Sequence, residues 1–249
     1  MLQKFATLVD GVETCYWSNM PDQFKRSFLF LSSGFNTGEQ FVNIDRYFNH
    51  DDLILAIDYP GRGGSMAIKS NKPIAIAKHV AKLLSDLNLN TINVVAYSYG
   101  TQIALELLNF ENILIQKLLL VAPGQYFNKA TRIILRTYFE MIAKSNALME
   151  LTRKILLKTK VFSGFPTSNL NHLNDQWIET IKFEIPDISS DTSTMIVYFT
   201  DDKIVDRRYG SKVEKIFYNP NIQNFSGKHP ISKSDFEKME KDILPSFLK

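Results

Sequence analysis

The stretch Val94-Val95-Ala96-Tyr97-Ser98-Tyr99-Gly100-Thr101 decides how this chain is read. Ile92 to Ala96 is a short apolar run of the kind that forms a buried strand, and Thr101 to Leu108 reads as a helix starting directly after Gly100. Ser98 therefore falls in a strand–turn–helix junction, with the small residues Ala96 and Gly100 two positions to either side. A serine there is held in a strained backbone, at a cost on the order of 1–3 kcal/mol, and its hydroxyl projects from the turn. The residues two before and two after it are expected to crowd each other, so that only Gly or Ala fits. The plain alternative is a strand–helix turn with an incidental serine, since small-x-Ser-x-Gly recurs by chance.

Outward from this turn, four more strand-like runs appear. Ser27 to Leu31 closes on Ser32-Ser33-Gly34, and Leu53 to Ile57 stops at Asp58-Tyr59-Pro60-Gly61. Lys117 to Val121 and Met195 to Phe199 complete the set. Unbroken apolar strands, rather than alternating ones, suit a sheet covered on both faces, which is usually parallel. Ile74, Ala77, Ala81, Leu84 and Leu87 recur at helical spacing between two of these strands. Strand–helix–strand alternation predicts a three-layer α/β fold. The alternation fails from about Gln125 to Asp187, where helical patterns cover Ile133 to Ala143, Leu148 to Leu157 and Trp177 to Phe183, with a break at Gly164-Phe165-Pro166. The expectation is a helical lid at 125–187 inserted into a core made of 1–124 and 188–249.

Composition narrows the class. In 249 residues, 45% hydrophobic and 22% charged is ordinary globular usage, which excludes a disordered chain or a collagen. The single cysteine, Cys15, cannot pair within the chain and excludes a disulfide scaffold. No apolar run approaches the ~20 residues of a membrane helix, and Met1 to Thr7 lacks a signal-peptide core. A cytoplasmic soluble protein is expected, as a monomer or dimer. The formal net charge of +3 is unevenly spread: the segment from Lys129 to Lys160 carries +6.

Asp58-Tyr59-Pro60-Gly61-Arg62-Gly63-Gly64-Ser65 reads as a tight glycine-rich loop. It is a poor phosphate cradle, because Met66 stands where the last glycine of a dinucleotide fingerprint belongs. Among four histidines, His50, His79 and His172 read as structural or solvated. His229 follows the last strand-like segment and is the only histidine downstream of Asp201, Asp202 and Asp206.

Taken in order, Ser33-Gly34-Phe35, the Asp58–Ser65 loop, the Ala96–Gly100 turn, Asp202 and His229 resemble the α/β-hydrolase superfamily over nearly the whole chain. The resemblance implies an α/β-hydrolase fold: a mostly parallel central sheet, helices on both faces and an inserted helical lid. It implies Ser98 as nucleophile, His229 as base and Asp202 as the acid, since the family places an acid two residues before a pair of aliphatics, here Ile204-Val205. Asp201 and Asp206 are the competing carboxylates. It also implies an oxyanion hole from the N–H groups of Tyr99 and Phe35, and no cofactor or metal. Ser33 stands where His is frequent in the family, which leaves Asn36 as the alternative second donor; Ala96 and Lys228 are milder departures.

The expected substrate is a small-molecule acyl ester or thioester. The lid would line an acyl pocket with Ile133, Ile134, Tyr138, Phe139, Met141, Ile142, Leu148 and Leu151, unless these only pack the lid onto the core. The basic block, including Arg132, Arg136, Arg153 and Lys154, is either a solvated face or a surface that steers an anionic partner. An acidic acyl carrier protein or an anionic lipid surface fits it better than nucleic acid, since no stacking or recognition motif accompanies the charge. The size and basic lid are similar to the carrier-protein methyl ester carboxylesterases of biotin synthesis. An acyltransferase with the same three residues, or a non-catalytic binding protein on this scaffold, are the alternatives.

Overall fold

Eight strands form one sheet in the order β1-β2-β4-β3-β5-β6-β7-β8. They are β1 (Gln3–Val9), β2 (Val12–Ser18), β3 (Arg26–Leu31), β4 (Asp52–Ile57), β5 (Thr91–Tyr97), β6 (Leu114–Val121), β7 (Ser193–Phe199) and β8 (Asn221–Phe225). From β4 to β8 every neighbouring pair is parallel. The α-helices named among the described residues are α1 (Pro73–Asp86), α2 (Tyr99–Leu107), α3 (Lys129–Ala143), α4 (Leu170–Lys182), α5 (Gly210–Glu214) and α6 (Lys233–Leu248). This computed structural model describes residues 1–34, 36–123, 129–145, 147–148, 150–151, 154, 170–202, 205, 210–229 and 233–249, with the backbone alone at 129–131, 135, 142–143, 170–171, 173 and 233–235. No described helix is long and apolar enough to cross a membrane.

The central strands explain the fold. Leu29, Leu31, Leu53, Leu55, Ile57, Val94 and Ala96 join one buried cluster, which includes residues of α1 and α2. Phe28, Phe30, Ile54, Ala56, Val95 and Tyr97 join the other, with Phe236, Met239 and Leu244 of α6. Successive side chains on a strand point to opposite faces, so a strand covered on both sides reads as a near-continuous apolar run. All six residues of β4 are buried; Leu53 to Ile57 are apolar, and Asp52 is paired with Arg26 at 2.8 Å. Burying each large apolar side chain contributes roughly 1.5–3 kcal/mol, so the two-sided sheet is the main source of stability.

Two features differ from the sequence reading. The expected strands are all present, but an antiparallel hairpin, β1–β2, extends one edge, turning at Asp10-Gly11 with Val9 paired to Val12. Both turn residues have positive φ, 49° and 78°, the backbone of a two-residue hairpin loop for which Asp-Gly is favoured. Helix α2 starts at Tyr99 rather than Thr101, with Ser98 as its N-cap. The expected helix Leu148–Leu157 and the Gly164-Phe165-Pro166 break fall largely outside the described residues.

His79 ties α1 to the hairpin through Thr14 Oγ1, at 2.8 Å from its Nε2. Burial pushes its pKa below the ordinary 6.5, only partly offset by Asp10. A depressed folded pKa means that the neutral imidazole stabilises the fold above about pH 6.5, and that this contribution is lost as pH falls through the folded value. Thermal unfolding from pH 7.5 to 5 should give a falling Tm, with a shallower slope in His79→Gln; an equal slope contradicts the assignment.

Candidate active site

Three strands deliver their loops to the carboxyl edge of the sheet, where α/β folds carry their sites. β5 ends in the Ser98 turn, whose φ of 51° and ψ of −113° are those of a strained, non-glycine backbone. The turn is pinned by the Ser98 N–H, which donates to Val121 O on β6 at 2.8 Å. A Cβ on Gly100 would run into Leu31 O of β3. The neighbouring strand therefore requires glycine at that position.

β7 and β8 pair in register up to Phe199 and Phe225, so Asp202 and His229 leave adjacent strands three and four residues further on. Two backbone bonds extend the ladder beyond the strands, Thr200 N–H to Phe225 O and Asp201 N–H to Gly227 O, each 3.0 Å. These bonds hold the two loops side by side. His229 Nδ1 lies 3.0 Å from Asp202 Oδ2, and His229 Nε2 lies 2.7 Å from Ser98 Oγ. An ionised carboxylate only accepts, so the bond to Asp202 places the proton on Nδ1 and turns the Nε2 lone pair to the serine hydroxyl. The other carboxylate oxygen of Asp202 accepts the Val205 N–H at 3.0 Å. The Asp202 and His229 side chains are only 7% and 11% exposed, which keeps water from competing for these bonds. The chain can therefore move a proton from a hydroxyl to a partly buried imidazole that a carboxylate orients.

The other candidates fall as follows. Asp201 is exposed and accepts from Thr200 Oγ1, and Asp206 lies outside the described residues. His50 is exposed, whereas His172 is buried against Pro60 O. Tyr99 opens α2 and is buried, which pushes its phenol up to about 12 despite the nearby Arg62. Phe35 lies outside the described residues. Next to it, a Cβ on Gly34 would approach the Trp177 ring at 3.2 Å, and Trp177 in turn stacks on Phe139 at 5.9 Å. Sequence reading missed Trp177, and nothing in its spacing singles it out.

The side chains expected to line an acyl pocket fall as follows. Tyr138 is exposed, as are Ile133, Ile134, Met141, Leu148 and Leu151, while α3 turns Phe139 towards α4. The Ile142 side chain and Arg153 lie outside the described residues. Arg132 Nε donates to Ile181 O at 2.8 Å, so it braces α3 on α4. Arg136 pairs with Glu140 one turn along, and Lys154 is exposed. Among the described residues, no cluster of His, Cys, Asp and Glu is arranged to hold a metal ion.

A family profile described as the alpha/beta hydrolase fold matches residues 26–155, more than half of the chain. The chain belongs to the α/β hydrolase fold family. Solved structures of this fold are similar over almost their full length. An esterase from Exiguobacterium antarcticum is 15% identical with a TM-score of 0.78, covering 98% of this chain and 99% of its own. The enol-lactonase from Burkholderia xenovorans LB400 is 12% identical with a TM-score of 0.79, covering 98% and 100%. The epoxide hydrolase CorEH is 14% identical with a TM-score of 0.72, covering 99% and 97%. No curated protein matches the sequence. At these identities the α/β hydrolase neighbours speak for the fold, while the chemistry must be argued from the site.

Proposed function

We propose that this α/β hydrolase is a serine-dependent hydrolase that cleaves carboxylic esters or thioesters through an acyl-enzyme. The observation that carries the reading is the hydrogen-bonded series Asp202–His229–Ser98. Ser98 Oγ attacks the acyl carbon while its proton passes to His229 Nε2, and Asp202 stabilises the imidazolium. The tetrahedral intermediate collapses, and His229 returns the proton to the departing alcohol or thiol. Water then repeats the sequence on the acyl-enzyme, releasing the acid and regenerating Ser98.

The oxyanion of each intermediate needs two N–H donors, each worth roughly 2.7–4 kcal/mol. Tyr99 N–H, one residue beyond the nucleophile, is the first. The Asn36 N–H is donated to Ser33 O at 3.2 Å, which favours Phe35 over Asn36 as the second. The 125–187 insertion acts as the lid. The Phe139–Trp177 stack against Gly34 supports an acyl-binding wall at that end. The test is a panel of p-nitrophenyl esters from two to sixteen carbons: turnover peaking at one chain length is the expected result, and no turnover of any ester sinks the reading. An acyltransferase would instead partition the acyl group to an added alcohol or amine acceptor.

The +6 charge of the Lys129–Lys160 segment supports a finer reading, an acyl-carrier-protein-linked substrate such as a pimeloyl methyl ester. Arg132 is already used inside the lid, so the reversal to make is Arg136→Glu with Lys154→Glu. Carrier-linked turnover should fall on the order of tenfold at low salt, far more than turnover of a small neutral ester. Equal losses on both substrates contradict recruitment by charge.

A further inference from the structure

Arg62, in the loop after β4, is 1% exposed and touches three parts of the site. Its Nε donates to Gln176 Oε1 on α4 at 2.7 Å. One terminal nitrogen, Nη1, stands 3.5 Å from Ser33 O and 3.4 Å from Asn36 O, the two ends of the turn after β3. The guanidinium carbon lies 4.9 Å from the centre of the Tyr99 ring and 5.3 Å from that of Tyr59. Two ring faces, a side-chain amide and two carbonyls therefore surround one buried cation. Each carbonyl contact is long and weak by itself. Burial gives them weight, because a guanidinium withdrawn from water depends on the dipoles around it for its solvation.

Helix α4 is fastened to the same loop. His172 Nε2 and Gln176 Nε2 both donate to Pro60 O, at 2.8 and 2.9 Å. The His172 ring fills the space where a Cβ of Gly61 would be, and Gly61 has a φ of 77°. A side chain at 61 would have to displace the His172 ring, and with it the bond to Pro60 O.

We propose that Arg62 is the positioning residue of the oxyanion hole, clamped by Gln176 so that the seating of α4 sets the placement of Ser33 and Asn36 on one side and of Tyr99, whose N–H is the first donor, on the other. This rests on the serine-hydrolase reading. Arg62 acts through the Ser33–Asn36 turn on one side and the Tyr99 ring on the other, and it does not touch the reacting atoms. The donors meet full negative charge only in the transition state, so misplacing them lowers kcat and leaves KM nearly unchanged.

The test compares wild type, Arg62→Met, Arg62→Lys and Gln176→Leu on the best p-nitrophenyl ester and on an alkylboronic acid, whose tetrahedral Ser98 adduct presents an oxyanion. Arg62→Met should lose about 10²-fold in kcat with KM within about twofold, and its boronic acid Ki should weaken by a similar factor. Gln176→Leu should show the same pattern at about tenfold, and Arg62→Lys should recover part of the loss. If Arg62→Met does not fold, by circular dichroism, the other two variants decide on the same criteria. Folded variants with wild-type kcat and Ki, or with a loss confined to KM, overturn the proposal and leave the serine-hydrolase reading intact. A wild type that turns over no ester overturns that reading, and this one with it.

Discussion

Ser98→Ala should reduce ester turnover on the order of 10⁴–10⁶-fold while leaving the fold in place. In the proposed mechanism the serine hydroxyl is the group whose proton His229 removes as it attacks the acyl carbon, so its loss ends that route. His229→Asn should cost about as much, because Ser98 Oγ then has no acceptor for its proton at 2.7 Å. Asp202→Asn should cost about 10⁴-fold, since an amide in that place no longer fixes the proton on His229 Nδ1. The double variant Ser98→Ala/His229→Asn should be no worse than either single one, because the residues act as a unit. Ser98→Gly should be equally inactive yet more stable by on the order of 1 kcal/mol, because glycine tolerates the φ of 51° that strains serine. Steady-state kinetics and thermal melts on these five variants beside the wild type check all of this. A Ser98→Ala protein retaining more than a hundredth of wild-type activity contradicts the nucleophile assignment.

Glu240→Gln should raise stability on the alkaline side, with an effect that grows with pH. Glu240 is 5% exposed in α6, and its Oε1 has no hydrogen-bond partner among the described residues. The Tyr97 hydroxyl, also buried, is in the same position. Burial pushes the Glu240 carboxyl up to about 8; Arg46 pulls it down and Glu237 pushes it up further. A folded pKa raised above the ordinary 4.5 means that the neutral form belongs to the fold. Its contribution is complete below about pH 4.5 and is lost as pH rises through 8. The full span is on the order of 4–5 kcal/mol, taking 1.36 kcal/mol per pH unit. Glutamine keeps the shape without the titration. The two proteins should melt together near pH 4.5, and the variant should melt on the order of 10 °C higher at pH 9. Parallel Tm curves from pH 5 to 9 would place the ionisation elsewhere.

The central sheet was legible because its strands carry unbroken apolar runs, such as Leu53 to Ile57, a pattern that suits a sheet covered on both faces. Ser98, Asp202 and His229 were legible for a different reason. Each follows a strand end that chain order identifies, and the resemblance supplied their pairing. The β1–β2 hairpin escaped because β1 is mostly exposed, so it shows no buried run, although Asp10-Gly11 was a usable turn signal. The segment after β6 was legible as helix but not as to which face turns inward. Ile133, Ile134, Tyr138 and Met141 look like lining by composition, yet α3 presents them to solvent and turns Phe139 to Trp177. Arg62 and Gln176 could not be found from sequence, since their contact joins residues 114 apart that no short motif links. Buried polar contacts across a fold depend on where whole elements settle, and periodicity carries no information about that.

Labelling with a fluorophosphonate, followed by peptide mass spectrometry, tests the nucleophile directly. The native protein should take up one phosphonyl group, on Ser98, at a rate that collapses in His229→Asn and on unfolding in denaturant. Modification of a different residue, or none after prolonged exposure of the folded wild type, would contradict the account.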